Sequence, residues 1–222
     1  VRRWLAFGIV AVAACGGGDA THHVDVSCAN AIVYLDRFGG AYDHSVADDS
    51  TLNVGIVFDG PRTLPSFPGD DVAWSDLTDC IRAALAPFDV AVTEDDPGMT
   101  PHLELVFTDR YWADPAVTHV FPASCKPGHQ IEVIFGSALA TPTRGCDLAM
   151  AGLAEMVGQL GPSQNCLDFT SPANACGVRS FLATEERCVD DQTGLPAPCR
   201  CDASATTQNS FATLDALIHA CN

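Results

Sequence analysis

Apolar and polar positions alternate and recur in a way that divides most of the chain into short elements. Ala31 to Phe38 (AIVYLDRF) is dense in β-branched and aromatic residues and is closed by Gly39-Gly40, which predicts a first strand. A polar, Asp-rich loop should come next. Leu52 to Phe58 (LNVGIVF) reads as a second strand, and the prolines at 61, 65 and 68 argue against regular structure beyond it. Asp71 is placed to cap a helix running to about Pro87, because Trp74, Leu77, Ile81, Ala84 and Leu85 then share one face. Phe88 to Thr93 alternates as a strand does, and Glu94 to Pro101 is an acidic, turn-rich loop. Leu103 to Thr108 and Gln130 to Phe135 are further strands, with a shorter one between Val117 and Phe121. From Cys146 to Leu160, the residues Met150, Leu153, Met156, Val157 and Leu160 return every three or four positions, as on a helix. Beyond Gly161-Pro162 the pattern fades into a cysteine-dense region. A last helix, Ser210 to Cys221, turns Phe211, Leu214, Leu217 and Ile218 inward. Strands and helices in this order make an α+β fold.

The start of the chain changes the picture from a globular domain to an exported one. Arg2 and Arg3 precede an apolar stretch from Trp4 to Ala14, too short to span a bilayer, and then comes Cys15. The junction Val12-Ala13-Ala14-Cys15-Gly16 is similar to a bacterial lipobox, whose cysteine is acylated once the signal is removed. Residues 1–14 are therefore expected to be a lipoprotein signal peptide, and 15–27 the lipidated Cys15 with a flexible tether. The domain would sit in the periplasm or on the cell surface, with the outer membrane favoured. Loss of Arg2 and Arg3 makes the formal charge of −17 two units more negative still, a surface that repels nucleic acid.

Ten further cysteines in an exported chain call for disulfides: Cys28, Cys80, Cys125, Cys146, Cys166, Cys176, Cys188, Cys199, Cys201 and Cys221. Their pairing does not follow from spacing. Residues 28–164 form the main subdomain and 165–222 a disulfide-rich C-terminal one.

The element order strand, helix, four strands, helix and irregular tail resembles that of the metzincin-like zinc peptidases. Several stretches look like a group of exported bacterial proteins with that architecture: IVYLDRFGG, CIRAALAPFDVAVTEDDPG, the helix from Cys146, CLDFTSPANACG and CRCDASATTQNS. The resemblance spans residues 30 to 217. It implies a zincin-like mixed, twisted sheet with two main helices, a cysteine-rich C-terminal subdomain and a terminal helix. It also implies that the second helix (146–160) stands where the family carries HExxHxxGxxH, above a methionine-bearing turn. With Glu155 on the motif's glutamate and Gly161 on its glycine, the metal positions read Ala154, Gly158 and Gln164, and Thr170 stands in place of the methionine.

Zinc needs imidazoles at i and i+4 on one helix face plus a third ligand, with the glutamate as base for the bound water. Alanine and glycine offer no donor. Nor do the seven histidines, His22, His23, His44, His102, His119, His129 and His219, supply a substitute, since no two are four apart. His129-Gln130-Ile131-Glu132 can place two donors close together, although polar residues facing solvent are the simpler reading.

Glu155 is then a relic general base, no cofactor is expected, and the resemblance implies an inactive metallopeptidase-like lipoprotein, a monomer that binds peptide or protein in the former substrate cleft. Two alternatives stay open: an active metal-dependent peptidase drawing on Glu155 with His119 or His129, and a structural or adhesive envelope lipoprotein. The acidic pairs Asp48-Asp49, Asp70-Asp71, Asp95-Asp96 and Asp190-Asp191 are of the kind that can bind structural calcium, with loop solvation and helix capping as the competing account.

Overall fold

The computed structural model describes residues 31–109, 117, 119–122, 129–136, 139–156, 162–171, 176–190, 193–199 and 204–219, with the backbone alone for 31 and 217–219. The signal segment, Cys15 and its tether, Cys28, Cys125, Cys201, Cys221, Gly158, Gly161 and the expected helix tail from 157 to 160 lie outside the described residues.

The first strand, β1 (Ala31–Asp36), ends two residues earlier than the hydrophobic run suggests, where the Asp36 side chain accepts the amides of Phe38 and Gly39 and turns the chain. The segment from residue 40 to 66, expected in part as a loop, holds regular structure. Strand β2 (Gly40–His44), a 3₁₀ turn (Ser50–Leu52), β3 (Val54–Gly55) and β4 (Arg62–Leu64) build a small sheet of order β3-β2-β4, here called the arch. Two expectations are corrected by it. Only Val54–Gly55 of the run 52–58 is strand, because Asn53 takes a left-handed conformation (φ 54°) that closes the 3₁₀ turn and leaves Leu52 and Ile56 exposed. Pro61 and Pro65 flank β4 one residue beyond each end, so neither has to donate to its ladder.

Helix α1 (Asp71–Leu85) is capped by Asp70, not Asp71: the Asp70 backbone is extended and its carboxylate accepts from Ala73 N at 2.9 Å. Trp74, Leu77, Ile81 and Leu85 are buried as the periodicity requires, Thr78 joins them, and Ala84 is partly covered. Pro87 then prevents continuation. Strands β5 (Val90–Thr93), β6 (Leu103–Thr108), β7 (His119–Val120) and β8 (Ile131–Phe135) complete the main sheet. Its order is β5-β1-β6-β8-β7, with β5, β1, β6 and β8 parallel and β7 antiparallel at the edge.

Helix α2 (Pro142–Met156) starts four residues before Cys146. Thr141 Oγ1 accepts from Arg144 N (3.3 Å) and Pro142 takes the first helical position, a start signal lying upstream of the apolar repeat. Small residues let it be covered on several sides: Gly145, Cys146, Ala149, Gly152 and Ala154 are all buried with Met150, Leu153 and Met156. A disulfide from Cys80 to Cys146 ties α1 to α2.

Both faces of the sheet are covered, which is why every residue of β6 and β8 is buried. Under α1 and α2 lie Val33, Leu35, Leu105, Phe107 and Ile134, with Trp74 edge-on to Phe107 at 5.5 Å. Under the arch lie Val106, Ile131, Val133 and Phe135, met by Tyr42, Phe58 and Leu64. The C-terminal region adds an antiparallel pair, β9 (Glu186–Arg187) and β10 (Thr207–Gln208), and helix α3 (Ser210–His219). Disulfides Cys166–Cys176 and Cys188–Cys199 staple it, while Phe169, Phe181 and Leu214 enter the same buried cluster as the two main helices. The architecture is α+β, as expected.

Candidate functional site

The candidate site starts at the C-terminal end of α2. Ala154 is fully buried in the apolar cluster, and Glu155 beside it is half-buried. Gln164 has an exposed side chain, and its backbone N donates to Arg187 O at 3.0 Å. Thr170 is buried in a polar knot. Asp168 Oδ1 accepts from Thr170 N (2.9 Å) and Thr170 Oγ1 (3.0 Å), and Asp168 Oδ2 accepts from Ser210 Oγ (2.8 Å) at the start of α3. Gln208 Nε2 donates to Thr170 Oγ1 at 3.3 Å. Burial holds the Asp168 carboxyl above its usual range, with the donors from Thr170 and Ser210 pulling it part of the way back.

These residues do not fit a zinc ion. Ala154 has no donor atom and is buried, the Gln164 side chain is exposed, and among the described residues no three His, Cys, Asp or Glu side chains are grouped to hold a metal. Of the histidines of the unconventional alternative, His119 on β7 stacks on Phe121 (centroids 5.2 Å apart), with burial pushing its pKa down to about 4, and His129 Nδ1 lies 3.8 Å from Asp49. The acidic pairs act as caps and turns. Asp49 accepts from Thr51 N, Asp70 from Ala73 N, Asp96 from Gly98 N, Asp190 from Thr193 N, and Asp48 from Ile56 N.

Sequence reasoning missed the buried acids. Glu132, expected at the surface, is fully buried on the helix-covered face, and neither carboxyl oxygen has a hydrogen-bond partner among the described residues. Its carboxyl abuts Gly152 of α2, where any Cβ would overlap it; the glycine makes the room. Burial alone raises its pKa well above the usual carboxylate range. On the opposite face the Tyr42 hydroxyl oxygen lies 2.9 Å from Asp36 Oδ2 and 2.8 Å from Glu104 Oε1. Glu104 is pushed up to about 8, first by burial and then by the nearby charges of Asp36 and Asp96, against the pull of the Tyr42 hydrogen bond. The available signal was a lone glutamate in an otherwise apolar strand, LELVFT and IEVIF.

Strand β7 borders this region as the edge of the main sheet. Among the described residues it pairs with β8 alone, through His119↔Ile134 and Val120↔Val133, so its outer side has no strand partner there. Comparison with family models, with curated proteins and with solved structures returned no match to this chain.

Proposed function

We propose that this chain is a zincin-type scaffold without zinc chemistry, serving as a lipid-anchored binding protein of the bacterial envelope. The observation that carries the reading is the chain order β1, α1, β5, β6, β7, β8, α2 in and over the main sheet, strand, helix, four strands, helix, which is the order the metzincin resemblance implies. Ala154 on that second helix, buried and without a donor atom, supports the loss of the metal. The edge of β7 supports a ligand class: an extended peptide can add through main-chain hydrogen bonds to a strand whose outer side has no strand partner among the described residues. Three disulfides suit an oxidising compartment outside the cytoplasm. The test is hydrolysis of denatured casein by the disulfide-intact chain, with and without micromolar zinc. No cleavage in either condition is expected; cleavage that Glu155→Ala abolishes would overturn the proposal.

A further inference from the structure

The arch holds to the main sheet and its flanks through an apolar patch, through hydrogen bonds from Ser50 to the His102 and His129 carbonyls and from Thr108 Oγ1 to the Pro65 carbonyl, through Asp49 beside His129 at 3.8 Å, and through one buried cluster of acids. Phe58 and Leu64 meet Val106, Ile131, Val133 and Phe135, and Tyr42 stacks on Phe58 at 5.2 Å while its hydroxyl passes through this layer to the sheet. There the hydroxyl lies between two buried carboxyls, Asp36 on β1 and Glu104 on β6. Counting protons decides what this contact can be. Asp36 is committed as an acceptor: Oδ1 takes the amides of Phe38 and Gly39, and Oδ2 faces Tyr42. Tyr42 has one proton and cannot donate to both carboxyls. All three groups are satisfied only if one carboxyl carries a proton, and Glu104 is the one to hold it: two amides stabilise Asp36 as the anion while Glu104 Oε2 has no donor among the described residues, so Glu104 donates to the tyrosine oxygen and the tyrosine to Asp36.

We propose that Glu104, Tyr42 and Asp36 form a proton-operated latch that holds the arch, residues 40–66, against the main sheet while Glu104 is protonated and loosens it when that proton is lost. Deprotonation leaves two buried carboxylates competing for the Tyr42 proton, with the Phe38 and Gly39 amides serving Asp36 alone, and among the described residues no ion pair reaches either. Glu104 Oε2 has no hydrogen-bond partner among those residues to take up the charge. The other titratable groups around it offer no relief. Tyr34 on β1 faces Asp36 and is itself pushed up by burial, Asp96 adds a like charge, and His102, edge-on to Tyr34, is pushed toward its neutral form by burial. From β8 the facing side chains Ile131 and Val133 are apolar, and Glu132 lies on the other face. Lifting the arch lets water reach Glu104 and uncovers Val106, Ile131, Val133 and Phe135, so alkalinity would expose an apolar surface.

Amide hydrogen exchange of the full chain from pH 5 to 9, corrected for intrinsic exchange and read at the arch and at β1, β6 and α1, tests the latch. Arch protection should fall by up to about tenfold per pH unit as pH rises toward about 8, then level off, more steeply than in the core elements. Glu104→Gln keeps a donor to Tyr42 without a titrating proton and should hold the arch closed across the range. Arch protection independent of pH, or the same slope in Glu104→Gln, would overturn the latch, as would an equal fall at every element. Should the variant fail to fold, the carbon-13 shift of the Glu104 carboxyl in the native chain decides: titration far above the ordinary carboxylate range, in step with arch exchange, supports the latch, and titration near the ordinary range sinks it.

Discussion

The two faces of the main sheet bury acids differently. The face under α1 and α2 is a large apolar layer closed by the Cys80–Cys146 disulfide, and an acid on it, Glu132, is fitted into space left by Gly152. The face under the arch is smaller, and its acids are hydrogen-bonded through Tyr42 to the element that covers them. An acid without partners adds only a cost, because burial opposes its charge with no donor to offset it. An acid hydrogen-bonded across an interface couples that interface to pH. Permanence therefore belongs to the helix-covered face and responsiveness to the arch.

The largest way to break this contrast is to remove the staple. Cys80 and Cys146 close a loop of 66 residues, so replacing both with alanine should cost about 4 kcal/mol in denaturant unfolding and loosen α1 against α2 before the arch. Gly152→Ala presses a methyl group into Glu132 and should cost about 2–3 kcal/mol. Most of that loss should vanish in a Glu132→Ala background; a loss unchanged there would mean that the glycine serves something other than the carboxyl. Glu132→Met should stabilise the chain by about 2 kcal/mol at neutral pH. The sign comes from linkage: with its folded pKa raised, Glu132 is least harmful below the ordinary carboxylate range, and stability is lost as pH rises toward the raised value. The gain from methionine should accordingly shrink in acid, which thermal melts at pH 4 and pH 7 would read. Asp70→Ala, which removes the α1 cap, should cost only about 1 kcal/mol and leave the arch untouched.

The helix-covered face is the legible one in the sequence. Trp74, Leu77, Ile81 and Leu85 announce α1 by spacing, and LELVF and IEVIF announce β6 and β8 by composition. The arch is hidden, because strands as short as Val54–Gly55 and Arg62–Leu64 carry no period, and proline at 61 and 65 reads as a breaker until the edges it sits on are known. Glu104 and Glu132 were missed for a related reason: a glutamate between apolar residues looks like the wet face of a half-exposed strand unless both faces are known to be covered. Of the register proposed from the sequence, Ala154 and Glu155 fall on α2 and Gln164 and Thr170 in the region beyond it, and the lack of a donor at Ala154 is read from the sequence alone. What spacing cannot convey is that Thr170 is tied to Asp168, Ser210 and Gln208, a network joining residues about forty positions apart.

The central claim, a zincin-type scaffold without its metal, is tested most directly by zinc content. The disulfide-intact chain is dialysed against micromolar zinc and then against metal-free buffer, and bound metal is counted per chain. The account predicts essentially none, with no change on Glu155→Ala. About one zinc per chain, lost when Glu155 and His119 are both replaced by alanine, would contradict it.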